Sequence, residues 1–255
     1  MSKNGNRFKN KKKILENFIF GYHASVEMLK LGHANGIFLQ ENLKGKRVDT
    51  LKSLAKSGDI PVKLVPKLKL DQLTHNAVHQ GVVITTPPYN YLELEQLLQQ
   101  TNRNDPFYLI LDSLEDPHNL GAILRTADAA GVDGVILPKY RSASVTPTVV
   151  KTSTGAVEHI PIAQVTNLVQ TVQRLKQEGF WIFGTDMNGI DYRNWQVKGK
   201  IALIIGNESR GISQLLRKEV DEILTIPMIG HVQSLNASVA AGLLMYEVLR
   251  GRSKY

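Results

Sequence analysis

Apolar residues in this chain fall into short β-branched runs separated by stretches with helical spacing, an alternation that predicts an α/β protein. In the first part, Phe18 to Phe20 reads as a strand and Tyr22 to Leu31 as a helix, with Val26 and Leu29 at helical spacing. Gly36 to Leu39, Val62 to Val65 and Gly81 to Thr86 read as further strands, and Val48 to Lys56 and Leu68 to Leu73 as the helices between them. Pro87-Pro88 breaks the pattern, because proline cannot donate to a ladder. A short polar helix around 92–100 and the run Asn102, Asn104, Asp105 and Pro106 complete a linker over residues 88–105. The expected units are therefore 17–87 and 106–255.

The second unit has longer apolar runs. Phe107 to Leu111 and Val132 to Leu137 read as strands, and Phe180 to Phe183 and Ile201 to Ile205 as strands buried on both faces, as in a parallel sheet. Leu120, Ile123, Leu124 and Ala127 have the i, i+3, i+4, i+7 spacing of a helix that stops at Gly131. Pro147 to Lys151 suggests a short helix or turn. Val165, Leu168, Val169, Val172 and Leu175 suggest a helix to Gln177, and Ile212 to Glu219 another. A strand over 223–226 ends at Pro227, and a helix from Ala237 to Leu249 follows. That helix has almost no polar face, Glu247 being the main exception, which predicts burial.

Charge adds a separate feature. The 255 residues carry a net charge of +8, but Lys3, Arg7, Lys9, Lys11, Lys12 and Lys13 all precede the first acid, Glu16. The body is nearly neutral, and residues 1–16 read as a disordered basic arm suited to a polyanion such as nucleic acid, or to solubility alone. There is no cysteine, which removes disulfides and thiolate chemistry and fits a reducing, cytoplasmic setting. No run is long enough to span a membrane, and the arm lacks the apolar centre of a signal peptide. The seven histidines show no metal-ligand spacing, so no metal is expected.

Ligands of an open α/β sheet sit beyond the carboxyl ends of its strands. The dinucleotide, P-loop and nucleophile-elbow glycine motifs are all missing there, which disfavours an oxidoreductase and excludes a P-loop NTPase and an α/β-hydrolase. Three polar loops remain: D-P-H-N-L-G-A-I-L-R-T-A with Asn119, Gly121 and Arg125; I-I-G-N-E-S-R-G with Gly206, Glu208 and Gly211; and I-P-M-I-G-H-V-Q-S-L-N-A-S with Ser234 and Asn236. Each has an ordinary explanation. Asn119, Ser234 and Asn236 can be helix caps, Arg125 can pair with Asp128, and Glu208 can complement a helix dipole.

In order and at these distances, the three loops resemble the signature motifs of the SpoU (TrmH) family of RNA ribose 2′-O-methyltransferases, over about Phe18 to Arg250. G-Y-H-A-S-V-E-M-L and H-Q-G-V-V resemble the family's N-terminal RNA-binding domain. The resemblance implies an L30e-like α/β domain followed by an α/β trefoil-knot (SPOUT) methyltransferase domain, although chains are as a rule unknotted. It implies S-adenosyl-L-methionine as cofactor, held mainly by backbone at Gly206, Ile226 and Leu235, with Met228 and Thr185 lining the site. It implies catalytic roles for Arg125, Asn119, Glu208, Ser234 and Asn236. Arginine is effectively always protonated, so Arg125 is either a base in an unusual setting or an orienting, charge-stabilising group. The implied partners are RNA, most closely a guanosine in 23S ribosomal RNA or a large-subunit precursor, and a second copy of the chain as a homodimer. A transfer-RNA substrate and a catalytically silent RNA-binding protein are the alternatives.

Removing residues 1–13 is expected to weaken RNA binding and to flatten the slope of log K against log salt, since each phosphate contact contributes to that slope. An unchanged slope in a salt titration would show that the arm does not touch RNA.

Overall fold

The computed structural model describes residues 18–207 and 210–252, so the basic arm and Glu208 lie outside the described residues. The chain divides into two compact units, Met1–Tyr89 and Asn90–Tyr255.

The first unit runs β1 (Phe18–Phe20), α1 (Tyr22–Lys30), β2 (Gly36–Gln40), α2 (Lys46–Ser57), β3 (Val62–Val65), α3 (Lys67–Leu73) and β4 (Val82–Thr85). Its four-stranded sheet has the order β1-β4-β2-β3, with β4 antiparallel to both neighbours and β2 parallel to β3. Ile37, Leu39, Val82 and Ile84 meet Leu29 of α1 and Leu51 of α2 in one core. The alternation of strands and helices is as the hydrophobic pattern predicts.

The second unit begins earlier than its first long strand. Helix α4 (Leu94–Gln100) opens with a reciprocal cap between Glu93 and Gln96. Leu97 of α4 is fully buried in the core of the second unit, among Tyr108, Ile136 and Ala163. It fits against Gly134, where a Cβ would lie 2.6 Å from the Leu97 Cδ1. The backbone N–H of Leu92 donates to the carbonyl of Ile162, 2.9 Å. Much of the stretch read as a linker is therefore packed structure.

The rest runs β5 (Phe107–Leu111), α5 (Pro117–Ala129), β6 (Gly134–Pro138), α6 (Pro147–Thr152), β7 (Ile162–Val165), α7 (Leu168–Gln177), β8 (Trp181–Asp191), β9 (Ile201–Ile205), α8 (Gln214–Arg217), β10 (Glu222–Thr225) and α9 (Ala237–Arg252). The six strands form a parallel sheet in the order β10-β8-β9-β5-β6-β7. All five residues of β5 and of β9 are buried, as double-faced coverage requires. The chain runs outward from β5 to β7, then crosses to the other side of the sheet for β8 and β9, so β5 and β9 flank a topological switch point.

Four expectations need correction. Strand β7 is absent from the hydrophobic reading, which started a helix at Val165. Asn167 caps that helix instead, its side chain accepting from the N–H groups of Val169 (3.0 Å) and Gln170 (3.2 Å), so Ile162–Val165 is free to extend the sheet. Strand β8 is far longer than Phe180 to Phe183. Beyond Gly184 it bulges away and rejoins β10 at Ile190, with Gly189 passing so close that a Cβ would lie 2.4 Å from the Ile223 carbonyl oxygen. Helix α8 is a single turn, shorter than Ile212 to Glu219.

The fourth correction concerns α9, which is not buried all round. Ala241, Leu244, Met245 and Val248 are in the core, yet Val239 is 51% exposed, Leu243 40% and Tyr246 50%. These three lie at i, i+4 and i+7, so one apolar stripe faces outward. Glu247, on the inner side, is only 7% exposed and accepts from the Arg250 guanidinium. Arg252 ends the helix by donating to the carbonyls of Asp105 (2.7 Å), Gly199 (2.6 Å) and Val197 (3.3 Å). Burial pulls the pKa of its guanidinium below the usual arginine value, and the three carbonyls compensate for the lost water.

Replacing Leu97 with Ala is expected to destabilise the protein by about 2–4 kcal/mol, the cost of a buried leucine cavity. A urea titration in which this variant unfolds like the parent would show that α4 is an appendage and not part of the second core.

Candidate active site

The site grows from the carboxyl ends of β5 and β9. Asp112 extends the pairing by one step, its N–H donating to the Ile205 carbonyl at 2.9 Å. Its carboxylate is buried and accepts from the backbone N–H of Ser213, 2.8 Å, and from the Ser113 hydroxyl, 3.0 Å. Ser113 adopts φ 60°, an uncommon left-handed conformation. Its carbonyl is thereby available to accept from Asn207 Nδ2, 2.9 Å. One buried acid and one strained serine thus join the loop after β5 to the loop after β9.

The loop after β9 is closed by mutual backbone bonds between Asn207 and Gly211, 3.1 and 2.8 Å. Gly206 lies against the end of this turn. A Cβ there would be 2.3 Å from the Gly211 carbonyl carbon and 2.5 Å from the Ile212 nitrogen, so only glycine fits. Glu208 follows Asn207 in sequence and lies outside the described residues.

Beside the turn is a cavity of about 770 Å³, within the size range of small-molecule sites. Thr185, Gly206, Ile226, Met228 and Leu235 all line it, as does Ser234. The β8 bulge supplies one wall, and the Thr225 hydroxyl donates to the Met187 carbonyl across it, 3.0 Å. Thr185 also has its bland role, its hydroxyl donating to the Ile204 carbonyl at 3.3 Å. Asp186 and Arg210 line the cavity as well. Asp186 is ion-paired with Arg217, and Arg210 lies 3.6 Å from Glu115.

The first and third loops meet next to this cavity. Asp116, not Asn119, caps α5, accepting from the His118 N–H at 2.8 Å, and Pro117 takes the first helical position. Asn119 is therefore inside the helix, buried, and its Oδ1 accepts from Asn236 Nδ2 at 3.0 Å. Asn236 serves two purposes. Its Oδ1 caps α9, accepting from the N–H of Ser238 at 2.9 Å and from its hydroxyl at 2.5 Å, while its amide nitrogen reaches Asn119. Helices α5 and α9 run side by side in the same direction, with Gly242 facing Thr126 further along. Their N-terminal ends lie together, and two such ends favour negative charge.

Arg125 is placed differently. It is exposed on α5, about one and two-thirds turns after Asn119, and it does not line the cavity. The Arg125–Asp128 ion pair that the spacing allowed is absent among the described residues. Asn119, Ser234, Asn236 and the five positions expected to hold the cofactor are thus brought to one region, and Arg125 stands exposed on the helix that carries Asn119. Asp112 and Asp186 were missed from the sequence. The available signal was position: each follows an apolar strand segment at the end where ligands of such sheets bind.

Comparison with known proteins decides the family. Residues 106–246 match the SpoU rRNA Methylase family, and residues 18–92 match the family described as RNA 2′-O ribose methyltransferase substrate binding. The chain belongs to the SpoU rRNA methylase family. A Staphylococcus aureus (strain COL) protein assigned to the TrmH family of tRNA/rRNA methyltransferases is 51% identical over 238 residues, covering 92% of this chain and 96% of that one. The crystal structure of an rRNA methyltransferase from Sinorhizobium meliloti is 26% identical with a TM-score of 0.65, covering 93% of this chain and 88% of that one. The AdoMet-bound rRNA methyltransferase structure from that organism, 24% identical, has the same fold at a TM-score of 0.65, over 100% of this chain and 98% of that one. This SpoU chain is accordingly an α/β RNA 2′-O-ribose methyltransferase, with a substrate-binding part before the methylase domain.

Two substitutions test the geometry. Asn236→Ala should cost about 2–3 kcal/mol, by losing a cap and leaving the buried Asn119 oxygen without this donor. Asn236→Ser keeps a cap but cannot reach Asn119, and should cost less. Equal losses for both in chemical denaturation would assign the whole effect to the Asn119 contact.

Proposed function

We propose that the protein transfers a methyl group from S-adenosyl-L-methionine to the ribose 2′-hydroxyl of a guanosine in large-subunit (23S) ribosomal RNA, acting as a homodimer in the cytoplasm. The observation that carries the reading is the Asn236–Asn119 hydrogen bond, which sets the first motif at the edge of the cavity built by the other two. The residues present fit the cofactor. Gly206 leaves backbone where any side chain would collide, Ile226, Leu235 and Met228 give apolar wall, and Thr185 and Ser234 give polar edges. When bound, S-adenosyl-L-methionine supplies an electrophilic methyl group on a sulfonium.

The chain's own task is the hydroxyl. A ribose 2′-hydroxyl is a weak nucleophile until its proton is drawn away. Asn119 and Asn236, at the paired N-termini of α5 and α9, orient the ribose and favour the developing oxyanion. Ser234 holds the loop beside it, and Glu208 positions the substrate. Arg125 draws on the ribose or its phosphate, as base or as charge stabiliser. The run from Ile226 to Asn236, passing along the Gly206 turn before α9 returns over α5, is the threaded segment of the expected knot. The requirement for a 2′-hydroxyl restricts the substrate to RNA, and the first unit, L30e-like in this reading, grips it.

The exposed stripe of Val239, Leu243 and Tyr246 supports the homodimer, since contiguous apolar surface marks an association site. It also accounts for Arg125, which lies outside the cavity of its own chain and in a dimer serves the cavity of the partner.

Mapping ribose methylation in cells with and without the protein tests the substrate. One guanosine of large-subunit RNA should lose its methyl group, a transfer-RNA position would reassign the RNA, and no change anywhere would overturn the reading. Mixing tests the dimer. Arg125→Ala and Gly206→Ala chains should each be inactive alone and regain up to about half of the activity when co-expressed, because one composite site per mixed dimer is whole. A mixture as inactive as its components would place Arg125 at the cavity of its own chain.

A further inference from the structure

The loop between β6 and α6, residues 139–146, faces the same edge of the sheet as the catalytic loops and has no part in the three motifs. It begins Lys139-Tyr140-Arg141-Ser142. Tyr140 is 60% exposed, and Lys139 and Arg141 on either side are exposed with no ion-pair partner among the described residues. A single exposed tyrosine is ordinary on a protein surface and proves nothing by itself. The anchoring of the loop is more informative.

Three bonds fix it. The Ala143 N–H donates to the Leu114 carbonyl at 2.6 Å, and the Ser142 hydroxyl to the same carbonyl at 3.2 Å. The Val145 N–H donates to the Tyr91 hydroxyl at 2.6 Å. Leu114 follows Ser113, whose carbonyl holds Asn207 of the cavity wall. The loop is therefore tied, through two consecutive residues, to the turn that shapes the donor cavity. Arg141 pays for its place with φ 57°, a conformation unusual for a residue without the freedom of glycine. The two acids that follow Leu114 in sequence are already engaged: Glu115 lies opposite Arg210 and Asp116 caps α5.

We propose that Tyr140 is a stacking platform for a base at or next to the methylated nucleotide, with Lys139 and Arg141 holding the adjoining phosphates. Every base offers a face to an aromatic ring and every nucleotide a charge to a cation, which is how single-stranded RNA is held beside a site. Stacking would turn the ribose of the neighbouring nucleotide towards Asn119. The proposal rests on the enzyme being an RNA methyltransferase and adds a positioning surface outside the motifs.

The test uses the full chain with an unmodified large-subunit RNA transcript that the parent methylates. Tyr140→Ala should raise KM for RNA about tenfold and leave binding of S-adenosyl-L-methionine, read by calorimetry, unchanged. Tyr140→Phe keeps the ring and should stay within about twofold of the parent. Arg141→Gly removes the charge while easing the backbone, and should reduce the slope of log K against log salt by about 0.7–0.9. Tyr140→Ala with parental KM, or Tyr140→Phe as impaired as Tyr140→Ala, overturns the stacking role. Binding of a single-stranded RNA of about ten nucleotides, measured without turnover, separates this from the functional reading. A parent that binds it but methylates no RNA defeats the enzymatic assignment, whereas a Tyr140→Ala variant that binds as tightly as the parent defeats stacking, whatever the activity.

Discussion

The hydrogen bond from Asn236 to Asn119 spans 117 positions of sequence, and the site depends on it. Neither residue is well placed alone. Asn119 is inside a helix already capped by Asp116, and its buried amide oxygen takes the Asn236 amide as donor. Asn236 has an oxygen committed to capping α9 and a nitrogen left over. The bond between them fixes the start of α9 against the start of α5. Between β10 and that end of α9, the loop from Ile226 to Leu235 lines the same cavity as Gly206.

That turn imposes the second constraint. Gly206 admits no side chain because Gly211 and Ile212 fill the space, so the cavity is walled by main chain on that side. Backbone walls hold a ligand without naming a residue type. This is why the cavity-lining positions are difficult to read from local pattern: Ile226, Leu235 and Met228 have the composition of any core segment. They came from the family resemblance, and the cavity gathers all of them.

Most elements were legible because their hydrophobic periods are clean. The strand Val62–Val65 and the fully buried β5 and β9 need no tertiary information. The failures share a cause, which is that local spacing cannot see a partner far along the chain. Val165 sits at helical distance from Leu168 and Val172, yet it pairs with Pro138 in the sheet. The part of β8 beyond Phe183 contains Gly184 and Gly189 and escapes the hydrophobic pattern, but it closes on β10 where a side chain would not fit. Glycine in that segment marks close approach rather than flexibility. The apolar surround of α9 was read as burial when part of it faces outward, because hydrophobicity records that a surface avoids water and not which molecule covers it.

The outward stripe of α9 and the position of Arg125 belong to one argument. Arg125, expected to take part in catalysis, is exposed on α5 and does not line the cavity of its own chain. The neighbouring helix offers Val239, Leu243 and Tyr246 to solvent, a surface that water disfavours. If a second chain covers that stripe, the unfavourable exposure and the idle arginine are resolved together. A reaction arranged in this way would depend on association, since an isolated chain could still form the cavity yet lack the group that activates the hydroxyl. Activity would then fall with dilution as the dimer dissociates, even while each chain keeps its fold and its hold on the methyl donor.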